Sequence, residues 1–182
     1  GLEEYLHSYI SVLPYNELGA AAAAYNADEK ELCRLDEIYS AVKTPFEIRS
    51  GSEKVTRRFF KICNNGRESF TGLYKSLTEQ GICKGHQCIA YGLYMRDNGI
   101  ELSEGLAVYG YSICSAIVTN CVKLVPLSQL AGQKILGESF ELISSASEKA
   151  LFTDINDIGI SGAGFDLRAM QHERLYSRQY MS

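Results

Sequence analysis

The stretch Tyr111–Leu136, YSICSAIVTNCVKLVPLSQLAGQKIL, decides the fold. Ile113, Ile117, Asn120 and Leu124 recur at spacings of three and four, which predicts an amphipathic helix. Gly110, Ser112, Ser115, Ala116 and Thr119 are small, so a second helix can approach it closely. Pro126 ends the pattern, because it lacks an N–H and drives Val125 to extended geometry. A second amphipathic run comes next, so the stretch reads as helix, break, helix. Asn120, Lys123 and Gln133 are polar groups among apolar neighbours. The plain reading makes them a hydrogen-bonded core Asn and two surface groups.

Upstream, residues 86–97 predict a helix that Asn98–Gly99 ends. Gly92 inside it costs about 1 kcal/mol against Ala and so points to a close helix contact. Ser103 with Glu104 is expected to start the long helix. At the N-terminus, Leu2, Leu6, Tyr9, Ile10 and Leu13 form an apolar stripe closed by Pro14. Asn16 is expected to cap a helix holding Gly19 and the alanines 20–24, which suit close packing. Asp28 or a neighbour opens a third helix with Leu32, Leu35, Ile38, Tyr39 and Val42 at helical spacing. Thr44–Pro45 reads as an N-cap followed by Pro at the first helical position. Ser50–Gly51–Ser52 is expected to interrupt or bend the helix begun there. Lys54, Arg57, Arg58 and Lys61 read as a solvated face beside the aromatic edge Phe59–Phe60. Asn64–Asn65–Gly66 signals a turn, Ser69–Leu77 a short helix, and Gly81 its stop. Residues 161–164 read as a flexible linker before a last helix. Sustained alternation is absent, so no strands are expected. The expected fold class is all-α, a compact multi-helix bundle of about eight to ten helices in a single domain, 1–182.

The chain has 182 residues, 46% of them hydrophobic, and a formal net charge of −4. An acidic chain without a basic run does not predict a nucleic-acid partner. No run of 18 apolar residues lacks charges, so no membrane-spanning helix is expected. Six cysteines at irregular spacing, without a CxxC pair, fit reduced and mostly buried thiols in the cytoplasm. Cys114 and Cys121, seven apart, read as packing residues. His7 reads as exposed. No phosphate loop, nucleophile elbow or HExxH appears, so neither catalytic residues nor a cofactor are expected. Cys83, His86 and Cys88 carry thiolate and imidazole chemistry that suits nickel or zinc, and they define the alternative reading of a metal-binding or redox protein. His172 beside Glu173 could act as an acid–base pair, although no nucleophile accompanies it.

Three segments carry a family resemblance. In NCVKLVPLSQLAGQKIL the matching residues are Val122, Lys123, Val125, Pro126, Leu127, Ser128, Gln129, Gly132 and Gln133. In the second segment they are Gly85, His86, Tyr91 and Gly92. The third is the tail DLRAMQHERLYSRQYMS, residues 166–182, where only Gln179 departs from an apolar position. Together they resemble the UreF family of urease accessory proteins, while residues 1–80 share only helical character with it. Gly1-Leu2-Glu3 could be a remnant of an N-terminal family motif, and the expectation is that this segment is missing here.

The resemblance implies a urease maturation chaperone. It would bridge UreD (also called UreH) to the GTPase UreG and support GTP-dependent nickel insertion into apo-urease, as a homodimer and without catalytic residues. The implied partner-binding residues are Lys123, Ser128, Gln129, His172, Glu173, Tyr176, Arg178 and Tyr180. Gly110 and Tyr111 are the implied dimer contact.

Overall fold

The computed structural model describes residues 1–63, 66, 68–160 and 162–176. Ten α-helices and two 3-10 turns are found among them: α1 Leu2–Val12, α2 Glu17–Asn26, α3 Glu29–Val42, α4 Phe46–Ile62, α5 Phe70–Glu79, α6 Gln87–Asp97, α7 Leu102–Leu124, α8 Gln129–Glu138, α9 Phe140–Ala150 and α10 Ala163–His172, with turns at Leu13–Tyr15 and Ile155–Asp157. No strand occurs among the described residues, so the all-α expectation holds.

The alanine run explains the centre. Ala20, Ala21, Ala22 and Ala24 are all buried, and α2 packs against α6, α7, α9 and α3. Small side chains let backbones close, and a Cβ on Gly92 of α6 would lie 2.2 Å from the Ala21 carbonyl oxygen. One apolar cluster runs from Leu6 through Leu35, Leu93 and Leu106 to Ile158.

Several helix ends obey local chemistry. Asp28 accepts the Glu31 N–H while Glu31 accepts the Asp28 N–H, a reciprocal cap. Ser69 caps α5 through the Gly72 N–H, and Gly81 and Gly99 take positive φ after α5 and α6. Others differ from expectation. Asn16 stands at the start of α2 but does not cap it, because its amide donates to the Val12 and Ile160 carbonyls. Pro45 itself flanks α4, one residue later than the Thr44 cap predicts. Ser50–Gly51–Ser52 neither breaks nor ends α4, whose helix runs through it. Glu101, not Ser103, caps α7 by accepting the Glu104 N–H. His7 is half-buried with its Nε2 enclosed, not exposed.

By length and composition α7 is long and apolar enough to cross a membrane, which corrects the expectation of no such helix. Its Leu106, Tyr109, Gly110, Cys114 and Val118 are buried, and it packs against α1, α2 and α9. The core helix of a bundle passes the same test. Its outer face keeps Val108, Tyr111 and Leu124 exposed.

The second family segment is consumed by the fold. Asp36 on α3 is buried and accepts three hydrogen bonds: from Tyr74 Oη at 2.6 Å, the Lys84 N–H at 2.7 Å and the Gly85 N–H at 3.0 Å. Tyr74 Oη in turn accepts the His86 N–H. Gly85 needs its positive φ of 89° to turn both amides onto Asp36. The His86 ring is fully buried, edge-on to Tyr39, with Nε2 2.8 Å from Ser40 Oγ. Tyr91 stacks on Tyr109.

Burial lowers the His86 pKa; Asp36 opposes this, and Lys43 and Arg49 add to it. The unfolded chain binds the proton near the ordinary value of 6.5, the folded chain only at lower pH. The His86 contribution to stability is therefore present above that ordinary value and is lost as pH falls toward the folded one. We expect the urea midpoint to fall on acidification from neutral pH, and to fall less in His86→Gln. Equal slopes in both proteins would place the acid sensitivity on other groups.

Candidate partner-binding surface

The α7–α8 corner can be built residue by residue. Val125 is extended, at φ −122° and ψ 156°, as the adjoining Pro126 requires. Ser128 then caps α8, its Oγ accepting the Ala131 N–H at 3.1 Å. Gly132 brings α8 down on α7: a Cβ there would lie 2.7 Å from Val122 Cγ2 and 3.1 Å from Val118 Cγ1. Pro126, Ser128, Gly132 and Val122 thus account for the corner itself. Lys123, Gln129 and Gln133 remain exposed, around a dent of about 270 Å³ that Val118, Thr119 and Val122 complete. Leu124, Val125 and Leu130 are exposed beside it. Lys123 and Gln129 stand together at this dent, and Gln133 joins them. Asn120 is exposed rather than a buried core amide.

The last described turn lies on α4. Glu173 Oε1 accepts the Phe46 N–H at 2.9 Å, and His172 Nδ1 lies 2.7 Å from Glu47 Oε2. An acid at the first turn of α4 complements that helix end. At the other end of α10, Phe165 meets Tyr5 and Tyr9 edge-on. No residue of α10 is buried, and Leu175 and Tyr176 are exposed. His172 and Glu173 are thus tied to α4 instead of forming an acid–base pair with each other. Arg178 and Tyr180 lie outside the described residues.

Gly110 lies inside the fold of the single chain. It is buried, and its Cβ would meet Ile143 Cγ2 at 3.1 Å, with Leu18 and Ser147 behind. Its smallness serves the α7–α9 seam within the chain. Tyr111 is exposed and packs edge-on against the exposed Phe140.

A groove of about 440 Å³ opens between α1, α4 and α7. Lys43 Nζ donates to Glu17 Oε1 at 2.8 Å in its wall, and Tyr39 Oη to the same oxygen at 3.4 Å. Burial pushes the Glu17 carboxyl up, but the Lys43 cation and these hydrogen bonds outweigh it and hold the group below its usual range. The same negative charge, with burial, raises Tyr9 well above an ordinary phenol. No local pattern could have paired Glu17 with Lys43, 26 residues apart.

Cys83, His86 and Cys88 do not converge. Cys83 Sγ faces Cys33, the His86 ring faces Ser40, and burial pushes the Cys88 thiol up to about 12 beside Tyr39. Metal ligation needs thiolates, and among the described residues no three His, Cys, Asp or Glu groups come together to hold an ion. The alternative three-residue cluster is therefore not assembled.

A family model described as UreF matches residues 1–139. The whole chain is 32% identical over 187 residues to the urease accessory protein UreF of Actinobacillus pleuropneumoniae serotype 5b, covering 82% of that protein. It is 27% identical over 188 residues to that of Streptococcus thermophilus, again over the whole chain and 79% of the relative. With the Paenarthrobacter aurescens protein it shares 31% identity over 152 residues, 81% of this chain and 67% of the relative. The family match includes the N-terminal helices, which corrects the expectation that residues 1–80 share only helical character. On this match, and with an all-α structure that accounts for the first two family segments, the chain belongs to the UreF family.

Proposed function

We propose that this chain acts in urease maturation as a non-catalytic scaffold. It bridges UreD and the GTPase UreG for GTP-dependent nickel insertion into apo-urease, works in the cytoplasm, and hydrolyses neither urea nor GTP. One observation carries the reading: the corner motif leaves Lys123, Gln129 and Gln133 exposed around one dent after helix geometry has used the rest. Ser128 contributes by fixing where Gln129 and Gln133 stand. The second contact is the chain end, where His172 and Glu173 anchor α10 on α4 and lead to Tyr176, Arg178 and Tyr180. Aromatic and Arg side chains of this kind dominate interface energies. A homodimer through exposed Tyr111 would double both surfaces about a two-fold axis.

The test is co-purification with UreD and UreG. We expect Lys123→Glu with Gln133→Ala to cut capture of the partners at least ~10-fold, the effect of one lost hot spot. Deleting 177–182, or Arg178→Ala, should abolish UreG capture in the presence of UreD while melting stays unchanged. Gln179→Leu should be tolerated, and Tyr111→Asp should lower the sedimenting mass. Full capture by both the corner variant and the truncated chain would overturn the scaffold reading.

A further inference from the structure

Cys33 and Cys83 are 50 residues apart, and their Sγ atoms are 3.9 Å apart. Cys33 sits in the second turn of α3 and is partly exposed; Cys83 is buried in the turn between α5 and α6. Neither thiol rides on a loose tip. One turn of α3 beyond Cys33, Asp36 accepts the Lys84 and Gly85 N–H groups. The Leu77 carbonyl accepts the Ile82 and Cys83 N–H groups. The backbone network that builds the turn thus also sets the two sulfurs face to face. A disulfide needs about 2.05 Å between sulfurs, so closure asks for an approach of about 2 Å, within reach of side-chain rotation and a small turn adjustment. Among the described residues no second thiol–thiol contact of this kind occurs.

We infer that Cys33 and Cys83 are a redox-responsive pair that closes to an intramolecular disulfide when the chain meets a small-molecule disulfide. Cys33, the accessible thiol, attacks as thiolate one sulfur of RS–SR, giving a Cys33–SR mixed disulfide and releasing RS⁻. Cys83, after losing its proton, attacks the Cys33 sulfur, forms the Cys33–Cys83 bond and releases the second RS⁻. The two protein thiols lose two electrons and two protons; the small disulfide gains both and leaves as two RSH. Burial beside Asp36 keeps Cys83 protonated, so the first attack falls to Cys33. The closed bond ties α3 to the turn that leads into α6 and seals the Asp36 nest covalently.

The experiment uses the full chain in oxidised glutathione, followed by denaturation and alkylation. We expect two of the six thiols to be protected, a peptide map joining Cys33 to Cys83, reopening by dithiothreitol, and a melting temperature higher by ~5 °C or more in the closed form. Cys83→Ser should trap a glutathione adduct on Cys33; Cys33→Ser should give neither adduct nor bridge. The map of the unmutated chain decides the matter even where a variant folds poorly. Six alkylatable thiols, a bridge between other cysteines, or closure only by oxidants far stronger than glutathione disulfide would overturn the assignment.

Discussion

Asp36→Ala should remove about 3–5 kcal/mol of folding stability, a large share of the margin that holds an ordinary domain folded. The reason is asymmetry. Asp36 receives Tyr74 Oη, the Lys84 N–H and the Gly85 N–H, and removing it strands all three donors at once. Gly85 and Tyr74 are buried, so water cannot replace the lost acceptor at either. A buried donor without a partner costs about 1–3 kcal/mol, and a bond to a charged acceptor is at the upper end of that range. The damage does not stop at the carboxylate. Tyr74 Oη also holds the His86 N–H at the start of α6, so the loss passes from α3 to α6. For a chain of this size the melting temperature should drop by roughly 6–20 °C. Asp36→Asn should cost less, because one oxygen still accepts while its NH₂ faces a donor. Tyr74→Phe alone should cost about 1–2 kcal/mol, and the double variant less than the sum of the singles, since they share one network. Urea midpoints for the four variants and the parent measure all of this. An Asp36→Ala loss below about 1 kcal/mol would mean that the turn holds without its hub.

The same residues show how much the sequence could say. Starts and stops written in local chemistry were legible: the start near Asp28, Ser69, Gly81, Gly99, and the break at Pro126. Signals went astray where a polar side chain was used at long range. Ser52 looks like a helix breaker, yet its Oγ accepts the Gln87 N–H at the start of α6, and its carbonyl accepts Thr56 Oγ1 within an unbroken helix. Asn16 looks like a cap, yet its amide reaches the Ile160 carbonyl, 144 residues on. A small residue such as Gly110 states only that something comes close. Whether that is Ile143 of the same chain or a second chain is not written at position 110. For the candidate surface the family motif named Lys123 and Gln129, but their separation from the corner's structural residues needed the Gly132 contact with Val122. The Glu17–Lys43 pair had no sequence signal, since ion pairs between helices obey no period.

Gly92→Ala should cost about 2–3 kcal/mol although it improves intrinsic helix propensity by about 1 kcal/mol. The new Cβ would stand 2.2 Å from the Ala21 carbonyl oxygen, 3.0 Å from its carbon and 3.1 Å from its Cα. These are backbone atoms of the central helix, so no side chain can rotate away. Relief requires moving α6 off α2, and around Ala21 the helix offers mainly alanine methyl groups with which to fill the gap. Ala20, Ala21 and Ala24 are fully enclosed, and Leu93 and Met95 of α6 are buried in the same core. Separation therefore loosens packing along both helices, and lost dispersion contacts outweigh the propensity gain. Gly137→Ala is the counterpart within α8. Nothing lies within 4 Å of its added Cβ, so propensity acts alone there and the protein should gain up to about 1 kcal/mol. Thermal melts of the two variants should thus shift in opposite directions: down by roughly 4–12 °C for Gly92→Ala, up by a few degrees for Gly137→Ala. Gly92→Leu should fall further still. If Gly92→Ala melts at or above the parent temperature, the α2–α6 contact has slack in solution, and the alanine run is not what closes the bundle.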